Sequence, residues 1–158
     1  MKDLLKGVKY VMFDFDDTLG IHQDRAGTNF NLFYDTYCDK PFANRLKSDA
    51  MQRFLDICSD MELTMGLISV AELPYRAETK IDWVRKTYAV YLRNFCVNCN
   101  EQKVQMLQYL KDRYGLYEWE ILIVDDKDDV LCECARKGFA TASPLQVVQF
   151  LEEYQKKD

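Results

Sequence analysis

Short apolar runs alternate along the chain with segments whose apolar residues recur every three or four positions. The runs are rich in β-branched and aromatic residues and are bounded by polar residues, a pattern typical of buried strands. The predicted strands cover residues 8–13, 63–68, 95–97, 121–124 and 139–142.

The segments between these strands have the spacing of one helical face. Ser48 or Asp49 is expected to cap the first helix. Asn100 is expected to cap a helix that ends near Gly115, where a left-handed C-terminal cap is common. Pro144 follows Ser143 and opens the last helix, because proline is favoured at the first helical position. The predicted helices begin near residues 49, 77, 100, 130 and 144.

This alternation of strands and helices predicts an α/β fold: a Rossmann-like parallel sheet with helices on both faces. The 158 residues fit a single domain, 1–158. In such sheets ligands bind at the carboxyl ends of the strands, so the polar residues that directly follow each strand are the candidates for function.

Composition and charge narrow the function. The formal net charge is −5, which argues against a nucleic-acid-binding surface. No apolar run approaches the roughly 20 residues needed to cross a bilayer, and no export signal is recognised at the N-terminus. We expect a cytoplasmic protein without membrane contacts, as a monomer or homodimer.

The cysteines give weak evidence for a metal site. Cys96 and Cys99 form a C-x-x-C pair, but Cys132 and Cys134 are two positions apart on a predicted helix and do not share a face. His22 is the single histidine. A zinc site needs four ligands in suitable positions. Reduced thiols are therefore the favoured interpretation.

An acidic segment, Asp14-Phe15-Asp16-Asp17-Thr18-Leu19, follows the first strand. Strand alternation would put Asp14 and Asp16 on the same side, where two carboxylates repel each other. A divalent cation relieves this repulsion and prefers oxygen ligands. The segment therefore indicates a metal site more strongly than an ordinary turn.

The pattern D-x-D-x-T-L after an apolar strand resembles the first motif of the haloacid dehalogenase-like phosphatases. Asp14, Asp16, Thr18 and Leu19 match it. The resemblance implies that Asp14 attacks phosphorus and becomes an aspartyl-phosphate. It also implies that Asp16 protonates the leaving oxygen and then activates water, since one carboxylic acid can act first as acid and then as base.

The second and third motifs of the family have matches in the expected order. Ser69 ends the second strand, where the family places a serine or threonine that donates to a phosphoryl oxygen. The third motif is a lysine that neutralises the nucleophile and the phosphoryl charge. Lys103 lies early in the helix before the fourth strand and is favoured. Lys80, early in the preceding helix, is the alternative.

The fourth motif is an acidic cluster that completes a Mg²⁺ site. The fourth strand runs into Asp125-Asp126-Lys127-Asp128-Asp129. Asp126 is favoured as the direct ligand, with Asp125 behind it. The alternative takes Asp125 as the ligand together with Asp129. The resemblance thus implies Asp14, Asp16, Asp125 and Asp126 as the metal-binding residues.

Two features place the chain within that family. Asp16 is intact, unlike the situation in the dehalogenases, which implies rapid turnover of the intermediate. Residues 20–48 are too few for a large helical cap, so the chain is similar to capless members such as the magnesium-dependent phosphatase group.

An aromatic stripe within residues 30–37 either forms a small lid or packs on the core, and packing is favoured. His22 is expected in an exposed loop, and Asp17, where glycine is common, in a turn.

The predicted function is Mg²⁺-dependent hydrolysis of a phosphomonoester, on a small molecule or a phosphoprotein, through an aspartyl-phosphate on Asp14. The alternative from another class is a catalytically silent phosphate-binding or interaction module on the same fold. A silent relative should have lost Asp14, Asp16 or the fourth-motif acids, and none is lost here. A receiver domain is disfavoured, because its acidic pair belongs after the first strand and its lysine near the last. Here the D-x-D-x-T motif follows the first strand, and the acidic pair follows the fourth.

Overall fold

The structure, a computed structural model, describes residues 3–22, 45–71 and 74–156. The aromatic stripe within residues 30–37, and with it the choice between a lid and core packing, lies outside these residues. In the described ranges, five strands form one fully parallel sheet: β1 (Tyr10–Phe13), β4 (Thr64–Val70), β5 (Arg93–Val97), β6 (Ile121–Val124) and β7 (Ala140–Ala142). Their order in the sheet is β5-β4-β1-β6-β7.

A second, two-stranded antiparallel ribbon lies after the first sheet strand. It pairs β2 (Gly20–His22) with β3 (Arg45–Lys47), with Ile21 opposite Leu46. No strand was predicted here, because three-residue strands are too short to show an alternating pattern. The ribbon brings residue 45 beside the segment that follows β1.

Helices cover both faces of the sheet, as predicted. In the described residues these are α1 (Asp49–Asp60), α2 (Pro74–Tyr88), α3 (Gln102–Tyr114), α4 (Asp128–Arg136) and α5 (Pro144–Lys156). Among these same residues, no helix is both long and apolar enough to cross a membrane.

The side-chain alternation of β1 divides the core into two clusters. Val11 and Phe13 point to one face, where they join apolar residues of α1, α2 and α5. Tyr10 and Met12 point to the other face, where they join residues of α3 and α4. Because apolar side chains leave water on both faces, all four strand residues are buried, which explains the unbroken apolar run in the sequence.

Several predicted local features are confirmed. Ser48 caps α1, and its hydroxyl accepts from the Met51 amide at 3.2 Å. Gly115 ends α3 in the left-handed region with φ 64°. Ile81, Val84 and Tyr88, which have the spacing of one helical face, are buried on α2.

Other boundaries differ from the prediction. Asn100 does not cap α3: Glu101 occupies the cap position without a side-chain hydrogen bond, and Asn100 contributes only its carbonyl, to the Lys103 amide. Helix α2 begins earlier than predicted, at Pro74, where proline is favoured at the first helical position. Lys103 nevertheless lies in the first turn of α3, as expected.

Candidate active site

The candidate site begins where β1 ends. Phe13 is paired with Leu67 of β4 and with Val124 of β6, so the next residue of each strand lies at the same edge of the sheet. The Asp14 amide continues the ladder by donating to the Val124 carbonyl at 2.9 Å. This parallel register brings Asp14 beside Asp125, although 110 residues separate them in the chain.

Lys103 joins these two aspartates. Its Nζ lies 3.0 Å from Oδ1 of Asp14 and 2.7 Å from Oδ2 of Asp125. The Lys103 side chain is 1% exposed, and those of Asp14 and Asp125 are 6% and 0% exposed. Asp14 follows the side of β1 that faces α3, which places it within reach of the first turn of that helix. Three buried charged groups therefore form one ion-paired cluster.

Asp126 adds a third carboxylate to this cluster. One oxygen from each of Asp14, Asp125 and Asp126 lies within 4.8 Å of the other two. Oδ1 of Asp126 is buried and receives no hydrogen bond from the described residues. Both oxygens of Asp125 are engaged, because its Oδ1 accepts from the Lys127 amide at 3.0 Å. The arrangement suits a divalent cation bound by Asp14 and Asp126, with Asp125 orienting Lys103.

The electrostatics of the cluster support this fit. Burial raises the pKa of Asp14 well above its usual range; Lys103 lowers it, and Asp125 and Asp16 raise it further. Burial also raises the pKa of Asp126, with Asp125 among the groups that add to the effect. If all three clustered carboxylates are ionised, they carry −3 against one ammonium. A divalent cation compensates the remaining −2 and favours the ionised forms.

Asp16 does not share this cluster of carboxylate oxygens. Its Oδ2 lies 3.3 Å from Nζ of Lys80, and its Oδ1 lies 3.1 Å from NH2 of Arg45. Strand alternation does not extend beyond Asp14, because residues 15–20 turn back on themselves: the Gly20 amide donates to the Phe15 carbonyl at 2.9 Å. The Asp16 charge still raises the pKa of Asp14, so the two carboxylates remain neighbours held by different cations.

Neither candidate lysine is a surface residue. Lys80, like Lys103, is 1% exposed, and burial lowers its pKa while Asp16 and Asp14 raise it. The structure thus places Lys103 against Asp14, as favoured for the third-motif lysine, and places Lys80 against Asp16.

Three candidates remain: Ser69, Asp17 and Asp129. Ser69 is buried near the end of β4, two positions beyond the residue paired with Phe13. Asp17 occupies a turn, with φ 59°, a conformation that aspartate tolerates better than most residues and that explains why glycine is common there. Asp129 is exposed and lies outside the carboxylate cluster.

The expectation for His22 was wrong. It lies in β2 rather than in a loop, its side chain is 15% exposed, and its Nδ1 is 3.0 Å from Oδ1 of Asp17. Arg45 NH1 also lies 3.0 Å from the same nitrogen. Because β2 pairs with β3, the His22 imidazole is largely buried, and no local sequence pattern predicts that pairing.

Among the described residues, Arg45 is a site residue that no sequence pattern predicted. It comes from β3, its side chain is 1% exposed, and it contacts Asp16 across the ribbon. A basic residue in an irregular polar segment gives no sign of burial, because arginine is usually exposed.

The described residues also form a cavity of about 320 Å³ between α3 and α4. Its wall carries the carboxylates of Glu101, Asp129 and Glu133, which repel a phosphate group. The phosphate-binding candidate is therefore the strand edge at Asp14 rather than this cavity.

No family model and no curated protein matches the chain. Solved structures do. A HAD family enzyme of Bacteroides thetaiotaomicron, in complex with magnesium and inorganic phosphate, gives a TM-score of 0.59 at 11% identity, over 86% of this chain and 93% of that one. A HAD-superfamily hydrolase of subfamily IA from Geobacter sulfurreducens gives 0.57 at 11% identity, over 87% of each chain.

A third similar structure is the cobalt-bound deoxy-D-mannose-octulosonate 8-phosphate phosphatase of Haemophilus influenzae. Its TM-score is 0.54 at 13% identity, over 89% of this chain and 70% of that one. The parallel sheet with helices on both faces is an α/β fold. More specifically, the chain has the haloacid dehalogenase-like fold.

Proposed function

We propose that the protein is a Mg²⁺-dependent phosphomonoester hydrolase that works through an aspartyl-phosphate on Asp14. The observation that carries the proposal is the buried cluster in which Lys103 contacts both Asp14 and Asp125 while Asp126 keeps a buried oxygen without a hydrogen bond. A buried set of carboxylates with too few cations is costly unless it binds one. Asp14 and Asp126 would hold Mg²⁺, which neutralises phosphoryl charge when bound.

The side chains suit a two-step displacement. Lys103 holds Oδ1 of Asp14 and leaves Oδ2 available to attack phosphorus. A bond then forms between Oδ2 of Asp14 and phosphorus while the bond from phosphorus to the leaving oxygen breaks. Asp16 donates a proton to the leaving oxygen. Ser69 and Lys103 would bind the phosphoryl oxygens.

The second step regenerates the enzyme. Asp16 takes a proton from water, whose oxygen bonds to phosphorus as the acyl-phosphate bond breaks, so that inorganic phosphate leaves and the Asp14 carboxylate is restored. Asp16 suits both steps because its side chain is 35% exposed and reaches the solvent side of the site. The substrate would be a phosphorylated small molecule or a phosphoprotein. The phosphatase among the similar structures, which acts on a small sugar-acid phosphate, supports the first class.

The decisive experiment is hydrolysis of an aryl phosphate by the purified protein, with Mg²⁺ and with excess chelator. We expect Mg²⁺-dependent phosphate release that is abolished by chelation and by Asp14→Asn. Full activity in chelator, with the metal shown to be absent, would exclude this mechanism. Binding of phosphate without any turnover would favour the silent module.

A further inference from the structure

We propose that Arg45 and Lys80 are positioning residues that hold the Asp16 carboxylate in the orientation needed for proton transfer. This inference rests on the proposed function, because it concerns the proton donor and acceptor of that reaction. Each cation contacts a different oxygen of Asp16: Arg45 lies 3.1 Å from Oδ1 and Lys80 lies 3.3 Å from Oδ2.

The two cations are fixed independently of Asp16. Lys80 Nζ also donates to the Val70 carbonyl at 2.7 Å, which anchors it to the last residue of β4. Arg45 NH1 lies 3.3 Å from the Gly20 carbonyl, across the β2–β3 ribbon. Arg45 and Lys80 together form what we call the Asp16 clamp, which links helix α2, the ribbon and the sheet. A displaced Asp16 would lose contacts from two directions.

Phe15 gives both cations a shared support. The guanidinium of Arg45 lies 5.6 Å from the centre of the Phe15 ring, and the ammonium of Lys80 lies 5.4 Å from it. Such contacts favour cations that have left water. Phe15 itself is fully buried, and Gly20 packs against it so closely that an added Cβ would lie 2.6 Å from the ring.

The low exposure of Arg45 and Lys80 favours a positioning role for them over direct substrate binding. The side chains of Arg45 and Lys80 are each 1% exposed, whereas that of Asp16 is 35% exposed. Asp16 is therefore the member of this group that reaches solvent, and the two cations are enclosed. The two buried lysines have different partners: Lys103 contacts the proposed nucleophile, Asp14, and Lys80 contacts the proposed acid/base, Asp16.

The test compares two aryl phosphates, because loss of acid catalysis affects a poor leaving group most. Phenolate is a stronger base than p-nitrophenolate, so its departure depends more on a proton from Asp16. In Lys80→Met and Arg45→Met we expect kcat/KM for phenyl phosphate to fall on the order of 10-fold or more, and kcat/KM for p-nitrophenyl phosphate to fall much less. Asp16→Asn removes the proton donor itself and should show the largest selective loss of kcat/KM for phenyl phosphate.

Arg45→Lys and Arg85→Met are the controls. Arg45→Lys keeps a cation near Asp16 and should recover part of the activity toward phenyl phosphate. Arg85→Met removes a long cationic side chain from the same helix, where Arg85 donates to the Leu92 carbonyl at 2.7 Å. It should lower thermal stability while leaving the ratio of the two kcat/KM values unchanged.

The outcomes are distinguishable. An active wild type whose Lys80→Met and Arg45→Met variants lose both substrates by the same factor would overturn the positioning inference alone, because a general loss of folded protein gives that result. If either variant folds poorly, the ratio is read from its active fraction, and the Arg45→Lys variant provides the second measurement. A folded wild type without Mg²⁺-dependent hydrolysis would instead overturn the proposed function, and this inference with it.

Discussion

Nζ of Lys103 lies 3.0 Å from Oδ1 of Asp14, a contact between residues 89 positions apart in the chain. It links the first turn of α3 to the end of β1 in a region with almost no exposure to solvent. Since a buried ion pair stabilises little by itself yet is costly to break, the contact is better explained by a chemical task than by stability.

Lys103→Met should therefore have two effects. Removing the ammonium leaves the Asp14 and Asp125 carboxylates without their cation, so we expect stability to fall by about 3 to 5 kcal/mol and turnover to be largely lost. Because the site becomes more negative, added Mg²⁺ should raise the melting temperature more in the variant than in the wild type. Thermal unfolding with and without Mg²⁺ measures this effect.

Lys111→Met is the matched control, because Lys111 lies on the same helix but in a partly exposed pair with Glu118. Its loss should change stability little. Similar losses in both lysine variants would contradict the special position of Lys103.

Asp14→Asn and Asp16→Asn should fail at different points. Asp14→Asn removes the nucleophile and should form no covalent phosphate. Asp16→Asn keeps the nucleophile and loses acid/base help, which is commonly worth about 10² to 10⁴ in rate. Beryllium fluoride, a phosphate mimic, should still bind Asp14 in the second variant. Undiminished turnover in both variants would rule out these assignments.

Asp126→Asn should weaken the metal site specifically. The buried Asp126 oxygen that receives no hydrogen bond is the one best placed for Mg²⁺. We expect a higher Mg²⁺ concentration for half-maximal activity and a smaller rise in melting temperature with Mg²⁺, since a ligand stabilises in proportion to RT ln(1 + [L]/Kd). Asp129→Asn, an exposed acid three residues on, is the control. If Asp129→Asn alone shifts the Mg²⁺ dependence, the alternative ligand pair is the right one.

The sheet could be predicted from the sequence because its three central strands, β4, β1 and β6, are compact apolar runs. Burial on both faces removes polar residues from β1 and β6, so their positions are unmistakable. The carboxyl-edge rule then brings Asp14, Asp125 and Asp126 together without any knowledge of distances. Lys103 follows from the order of the elements, even though the cap predicted at Asn100 was wrong.

The Asp16 clamp could not be predicted in this way. The expected alternation of Asp14 and Asp16 assumed that the extended chain continues past Asp14, and only the turn closed by Gly20 shows that it does not. Arg45 reaches Asp16 through the pairing of two three-residue strands. Such pairing depends on tertiary contacts, and a lone arginine in a polar segment carries no pattern that reveals it.

The cysteines offer a test of the packing. Burial raises the pKa of both Cys58 and Cys134 to about 12, so neither forms the reactive thiolate near neutral pH. Cys96 and Cys132 are exposed. Brief alkylation of the native protein, followed by peptide mass spectrometry, should modify the exposed pair first, and all four should react after denaturation. Early modification of Cys58 would contradict the packing of α1 on the sheet.

Tyr88 should make stability sensitive to alkaline pH. Its hydroxyl donates to the Leu19 carbonyl at 2.5 Å and accepts from the Ser48 amide at 2.9 Å, joining the segment after β1 to the start of α1. Burial raises the pKa of Tyr88 to about 12 from the 10.0 of a free phenol. Between those values the folded protein keeps a proton that the unfolded chain loses, so the stabilisation is present below pH 10.0 and is lost as pH rises toward about 12.

Tyr88→Phe isolates this contribution. Without the hydroxyl, the Ser48 amide and the Leu19 carbonyl lose a partner, and we expect a loss of about 1 to 3 kcal/mol near neutral pH. The difference in unfolding free energy between the wild type and the variant should then shrink as pH rises above 10.0, because the wild type loses the contribution that the variant never had. Urea titrations of both proteins across this range provide the measurement. A difference that stays constant with pH would show that Tyr88 titrates normally and that its hydroxyl is not buried between these two partners.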